Sequence, residues 1–237
     1  GIESPRILDY GAATGVLTVR VSPDGQWMAA ASRSGRLALW RVGQAAPLWD
    51  VDAAMGPLSA ISFAPFGDAI AVGGDRGVVK LLDIRDGTTK SAYSPDEAAQ
   101  KVTCLAFNST GGQLAAGDVH GHVRRWRVSP TTPERTFSGH TGGVKALAYS
   151  PDNRLLASAS FDETVKIWDI ETGSARTLLG QGGALSAVAW DASGERLVAG
   201  GLDSAVRIYD VPTGELVSAL VDHPAPIRAL TFSPSVT

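Results

Sequence analysis

The stretch GHTGGVKALAYSPDNRLLASASFDETVKIWDIETG, running from Gly139 to Gly173, decides the fold. It carries three short segments rich in Val, Leu, Ile, Ala and aromatics, at 144–149, 155–160 and 165–168, and a fourth follows at 175–179. The connections at 150–154, 161–164 and 169–173 are Ser, Asp, Asn and Gly-rich and short enough for hairpins. No segment of ten or more residues has helical periodicity, so the unit reads as four antiparallel strands and the chain as all-β.

The same unit recurs through all 237 residues. Its first strand enters a Ser-Pro-Asp-Gly-like turn at Val21, Phe63, Phe107, Tyr149, Trp190 and Phe232, in steps of 42, 44, 42, 41 and 42. The residue ending its third strand falls at Trp40, Leu82, Trp126, Trp168 and Tyr209, in steps of 42, 44, 42 and 41. Two markers in step define a repeat array, because chance matches would drift. The expected repeats are 15–56, 57–100, 101–142, 143–183, 184–225 and a partial 226–237, within one domain spanning 1–237.

These residues resemble the WD-repeat β-propeller family, whose four-stranded blades carry Gly-His and Trp-Asp signatures at this period. Trp168-Asp169 and Gly139-His140 match both signatures, Leu82-Asp83 and Tyr209-Asp210 are degenerate forms, and Trp40-Arg41 and Trp126-Arg127 put a cation in place of Asp. The resemblance implies a β-propeller with five complete blades and strands of a sixth. It also implies a hydrogen-bonded set that locks a blade, here His140, Ser158 or Ser160, Asp162 and Trp168. The turn acid recurs as Asp203 but is replaced by Ser34, Arg76 and His120 in the first three repeats, whose blades should be less tightly locked. By alignment, 7–10 matches an outermost strand and 227–232 an innermost one. The two would not touch each other in a propeller, so the remaining strands are expected from further chain of a longer propeller.

Composition excludes several classes. With 44% apolar and 19% charged residues the chain can bury a large core, and its formal charge of −3 with no long basic block argues against nonspecific nucleic-acid binding. No apolar run reaches the 18 or so residues of a membrane span. A single cysteine, Cys104, cannot form an internal disulfide, and a reducing, cytoplasmic setting is expected. Cys104 lies within the apolar VTCLAF, which marks it as a small buried side chain and not a nucleophile. No nucleophile elbow, phosphate loop or dinucleotide fingerprint is present, so no catalytic residue and no cofactor is expected. His120 and His122 have no further ligands beside them in sequence, and turn positioning accounts for the pair better than a metal. In HVRRWRV, 122–128, Arg125 is the odd residue, since Leu39, Leu81, Ile167 and Ile208 hold its register elsewhere. An inter-blade polar contact is expected there, with Asp118 as the candidate partner.

Function is expected on loops held by a rigid repeat stack. In similar propellers the docking face is formed by the start of the innermost strand and the residue before the turn acid. Here this set is Arg33, Asp75, Lys101, Thr103, Lys145, Phe161, Ser186, Leu202 and Arg228, four cations against one acid. The leading reading is a noncatalytic protein-interaction scaffold whose partner has an acidic, partly apolar surface, with no nucleic acid or membrane partner. The alternative is a regulatory module of a larger bacterial signalling protein with a separate effector domain, suggested by 16 Arg against 5 Lys. A propeller enzyme or small-ligand binder comes third.

Overall fold

In the computed structural model, residues 15–93, 100–129, 133–178 and 182–232 are described, and they form five four-stranded antiparallel sheets with no helix. The chain falls into two compact units, Gly1–Lys101 and Val102–Thr237. The first unit holds blade 1, made of β1 (Val16–Val21), β2 (Trp27–Ser32), β3 (Arg36–Arg41) and β4 (Trp49–Asp52), and blade 2. Blade 2 is made of β5 (Leu58–Phe63), β6 (Ala69–Gly74), β7 (Val79–Asp83) and β8 (Thr89–Tyr93). The second unit holds three blades. Blade 3 comprises β9 (Val102–Phe107), β10 (Gln113–Asp118), β11 (Val123–Arg127) and β12 (Pro133–Phe137). Blade 4 comprises β13 (Val144–Tyr149), β14 (Leu155–Ser160), β15 (Val165–Asp169) and β16 (Ala175–Leu178). Blade 5 comprises β17 (Leu185–Trp190), β18 (Arg196–Gly201), β19 (Val206–Asp210) and β20 (Leu216–Leu220). Within each sheet the strands follow chain order, so every connection is a hairpin.

The sequence forces this arrangement turn by turn. In the Ser-Pro-Asp turns, Ser150 Oγ donates to Asp152 Oδ1 at 2.6 Å and accepts the Leu155 amide at 2.9 Å, and Ser22 and Asp24 repeat this arrangement in blade 1. Asn108 substitutes in blade 3, its Oδ1 taking the Gln113 amide at 3.0 Å. The Asp of the Trp-Asp signature closes the next hairpin: Asp169 Oδ1 accepts the Thr172 amide at 2.7 Å and its hydroxyl at 2.9 Å, and Asp210 binds Thr213 in the same way. The Asp169 amide bonds Ser174 at 2.9 Å, which carries β15 one residue past the expected end at Trp168.

Cores lie between neighbouring sheets. In the first unit Leu37, Leu39, Trp49, Leu58, Ile70 and Leu82 interdigitate, and Trp49 Nε1 donates to Ile84 O at 2.8 Å across the two blades. In the second unit Cys104, Val123, Phe137, Val144, Leu156 and Trp168 fill the space between blades 3 and 4, and Val165, Leu185, Leu197 and Tyr209 belong to the core shared by blades 4 and 5. Trp190 Nε1 reaches Ala148 O at 2.9 Å. Burial of these faces follows from strand alternation: both faces of a middle strand are covered, so β6 and β14 read as near-continuous small apolar runs.

The expected strand at 7–10 lies outside the described residues. Residues 227–232 have no ladder partner among the described residues and form no strand. Ile227 is nevertheless buried against Val198 and Val206, and its amide donates to Gly201 O at 2.9 Å. The segment thus docks on blade 5 at the place of a next innermost strand.

The tight turn between second and third strands needs a left-handed residue. Gly35, Gly77 and Gly121 supply it with φ of 89°, 71° and 90°, but blade 4 uses Glu163 at 67° and blade 5 Ser204 at 61°. A side chain there opposes its own Cβ sterics by about 1–2 kcal/mol. Replacing Glu163 with Gly should therefore raise the melting temperature by about 2–4 °C, the shift that roughly 1 kcal/mol gives a domain of this size. The reverse change Gly121→Ala should lower it, since the added Cβ would sit 2.6 Å from His140 O. Calorimetry of both variants checks the pair.

Candidate functional site

Two groups of candidate residues are built at the same end of the blades, and they differ in what their side chains are free to do. The first is the polar set of blade 4. His140 follows blade 3, and its side chain is fully enclosed. Its Nδ1 lies 2.8 Å from Asp162 Oδ2 and its Nε2 lies 2.7 Å from Ser158 Oγ, which also accepts Trp168 Nε1 at 2.8 Å. A neutral imidazole completes this chain: Trp168 N–H donates to Ser158, Ser158 O–H to Nε2, and Nδ1–H to Asp162. Asp162 also accepts the Thr141 amide at 2.9 Å, the Thr164 amide at 3.0 Å and the Thr164 hydroxyl at 2.7 Å. Trp168 stacks edge-on to His140 at 6.0 Å and tilts against Phe137 at 5.4 Å. Ser160 stands apart from the ring set: its hydroxyl donates to Gly142 O at 2.8 Å and accepts the Asp162 amide at 3.1 Å.

Burial pushes the His140 pKa down, ahead of the opposing pull of Asp162, and it rests below the ordinary 6.5. Burial pushes Asp162 up, but the Thr164 hydroxyl, the Thr141 amide and His140 outweigh it and hold the carboxyl below 3.8.

Blade 3 solves the same problem with a residue that sequence reading assigned elsewhere. Asp118 is buried and accepts the His120 and His122 amides at 2.8 and 3.0 Å, so it does the turn work that His120 cannot. Its Oδ2 pairs with Arg124 Nη1 at 2.6 Å and His122 Nδ1 at 3.3 Å. The expected partnership of Asp118 with Arg125 is therefore corrected. Arg124 stands opposite Ala116 in the ladder, on the same face as Asp118, whereas Arg125 points to the other face. Burial pushes the Asp118 pKa up, but the His122 amide and Arg124 bring it below the ordinary value. Cys104 is buried, and burial pushes its thiol up to about 12, far from a reactive thiolate. Among the described residues no cluster of three or more His, Cys, Asp or Glu could hold a metal ion, and no helix is long and apolar enough to cross a membrane.

The second group is the expected docking face. Every innermost strand carries a bulge after its first residue, and the displaced residues in the second unit are Thr103, Lys145 and Ser186. A bulge re-aims its side chain. Thr103 donates to Gly117 O at 3.0 Å and to Val144 O, and Ser186 donates to Ile227 O, so both hydroxyls clasp the next segment along the stack. Lys145 has no such carbonyl contact and instead sets its Nζ 4.3 Å above the Phe161 ring. Phe161 and Leu202 are 48% and 46% exposed, and Arg228 is exposed. Val119 occupies the equivalent turn position in blade 3 and is 37% exposed. It was left out of the sequence-derived set although the same positional rule gives it, as the residue before His120, which stands in place of the turn acid. In the first unit Arg33 is exposed, and Lys101 Nζ pairs with Asp75 at 2.8 Å.

Comparison with known proteins agrees with the repeat architecture. The WD domain, G-beta repeat family matches residues 131–169 and 173–210, and the Anaphase-promoting complex subunit 4 WD40 domain matches residues 19–110. The chain belongs to the WD-repeat family. It is 31% identical over 165 residues to WD repeat-containing protein SL1-17 of Schistosoma mansoni, covering 69% of this chain and 53% of that protein. It is 27% identical over 176 residues to Protein LST8 homolog of Drosophila melanogaster, covering 70% and 55%, respectively. It is also 31% identical over 108 residues to Guanine nucleotide-binding protein subunit beta-5b of Danio rerio, covering 46% and 27%. The chain thus spans about half or less of these relatives. All three are animal proteins, and they lend no support to the bacterial signalling module.

Two outcomes follow for the blade 4 set. Ser158→Ala strands two buried ring nitrogens and should cost about 2–4 kcal/mol, read from denaturant unfolding. Because the folded His140 pKa lies below the unfolded one, the unfolded chain binds the extra proton as pH drops through 6.5, and stability falls. Asp162 adds a further loss as pH falls below 3.8. Melting temperatures between pH 7.5 and 5 should fall more steeply for the native protein than for His140→Gln, and equal slopes would remove His140 from the pH response.

Proposed function

We propose that this chain is a noncatalytic protein-interaction scaffold that docks a partner on the turn face of its second unit. The observation that carries the reading is the row Val119, Phe161 and Leu202, three large apolar side chains left exposed at one turn position of three consecutive blades. An exposed apolar row on a rigid stack marks an interaction surface. Lys145 over Phe161 and the exposed Arg228 add positive charge beside the row, so the preferred partner surface is apolar with an acidic rim. Thr103 and Ser186 are left out of this face, since their hydroxyls are committed within the stack. Arg33 extends the same positive character in the first unit, where Lys101 and Asp75 offset each other. The family names support a scaffold reading in general terms, and the buried lone thiol suits a reducing cytoplasmic setting.

A photoreactive residue placed at position 161 in the full-length protein should form one dominant protein adduct in native extract. The same probe at Phe66, 77% exposed in a first-to-second strand turn, should not. Lys145→Glu should cut the adduct several-fold at low salt and less at high salt. Equal adducts from both positions would overturn this face as the docking site.

A further inference from the structure

The innermost strands of the second unit end on a row of aromatic side chains that the docking face does not use. Phe107, Tyr149 and Trp190 are the last residues of β9, β13 and β17, and Phe232 falls one repeat step further along the chain. Together with Asp191 they line a cavity of about 440 Å³, at the end of the strands away from Phe161. The Trp190 indole N–H is tied to Ala148 O at 2.9 Å, which fixes that ring in the wall. Asp191 is the residue out of pattern, since Ser22, Ala64, Asn108 and Ser150 hold its repeat position in blades 1 to 4. The turn there needs one acceptor for the amide five residues on, and neutral groups supply it: Ser22 Oγ for Trp27, Asn108 Oδ1 for Gln113 and Ser150 Oγ for Leu155. Asp191 Oδ1 does the same for Arg196 at 3.0 Å, and its Oδ2 accepts the Ser193 hydroxyl at 2.6 Å. The turn therefore does not require the charge of Asp191. Burial pushes this carboxyl up, but the Ser193 hydroxyl and the backbone amides of the turn outweigh it and hold the pKa below the ordinary 3.8. Among the described residues lining the cavity there is no lysine or arginine.

We propose that this cavity binds a quaternary ammonium group, carried on a methylated lysine of a protein partner. Aromatic rings attract a cation through the negative faces of their π-systems, and the Asp191 carboxylate adds a full negative charge beside them. A trimethylammonium has no N–H to satisfy, so it leaves water for an apolar wall at lower cost than a lysine ammonium or a guanidinium. Spare acceptors are few here, because the Ser150 hydroxyl and the Asp191 carboxylate already serve their turns. Ala148 and Val188 offer apolar wall to the carbon stem. A nucleic-acid base would stack on the same rings, but its phosphate would meet a carboxylate and no cation among the described lining residues. The side-chain source rests on the scaffold reading, while the ammonium site itself does not.

Calorimetric titration of the full-length protein with choline chloride, at ionic strength held constant with sodium chloride, tests the site. Choline should bind saturably, and its uncharged isostere 3,3-dimethylbutan-1-ol should bind several-fold more weakly. Asp191→Asn keeps the amide acceptor that Asn108 supplies in blade 3, so it should leave the melting temperature unchanged while weakening choline about fivefold. Absence of saturable choline binding, equal binding of the uncharged isostere, or equal binding of choline by Asp191→Asn overturns the site. N-acetyl-trimethyllysine amide should bind several-fold tighter than choline. Equal or weaker binding overturns the side-chain source alone.

Discussion

The buried hydroxyl of Ser158 is the hinge of the second unit, because two ring nitrogens that have lost water depend on it. Trp168 belongs in the core between blades 3 and 4, where its ring packs on Phe137, and its N–H must still find an acceptor. Ser158 supplies that acceptor and donates its own hydroxyl hydrogen bond to His140 Nε2. His140 in turn is fastened to Asp162, whose carboxylate also gathers the backbone of both neighbouring turns. One polar chain thus runs from the middle of the sheet to the loop at its end. The loop that presents Phe161 is held by the same bonds that satisfy the core.

Each blade of this unit meets the requirement with different chemistry. Blade 3 buries a carboxylate, Asp118, and balances it with Arg124. Blade 5 pairs Asp203 with Arg207 at 2.6 Å across its own tight turn. A buried ion pair offsets its desolvation only when its geometry is good, whereas the blade 4 chain holds a neutral imidazole against a single carboxylate. Rigidity at the turn face is therefore expected to vary along the stack, with Phe161 on its most firmly held turn. The bulges add a second fastening that runs across blades, where Thr103 and Ser186 tie one innermost segment to the next. Lys145 breaks that series, which leaves a cation at the surface beside an exposed ring.

Much of this was legible in the amino-acid order. The 41–44-residue step placed the strands, and the Ser-Pro-Asp turns and the Trp168-Asp169 pair marked their ends to within a residue. The meeting of His140, Ser158, Asp162 and Trp168 came from family resemblance, and strand register shows why it works: Ser158 lies two residues along β14 from Leu156, the ladder partner of Trp168, and so on the same face. Alternation would also have separated Arg124 from Arg125, had the parity of Asp118 been followed along β10. What the order of residues could not show is where a bulge turns a side chain. Thr103 and Lys145 hold the same position, yet one is spent on a carbonyl and the other is not, and that depends on the segment packed alongside.

Residue-resolved hydrogen exchange on the folded protein measures this hierarchy directly. If the Ser158-centred chain governs the unit, the amides of β14 and β15, with those of Thr141 and Thr164 bound to Asp162, should be the slowest to exchange in the second unit. Their counterparts in β10–β11 and β18–β19 should open first. Exchange in blade 4 as fast as in its two neighbours would contradict the account.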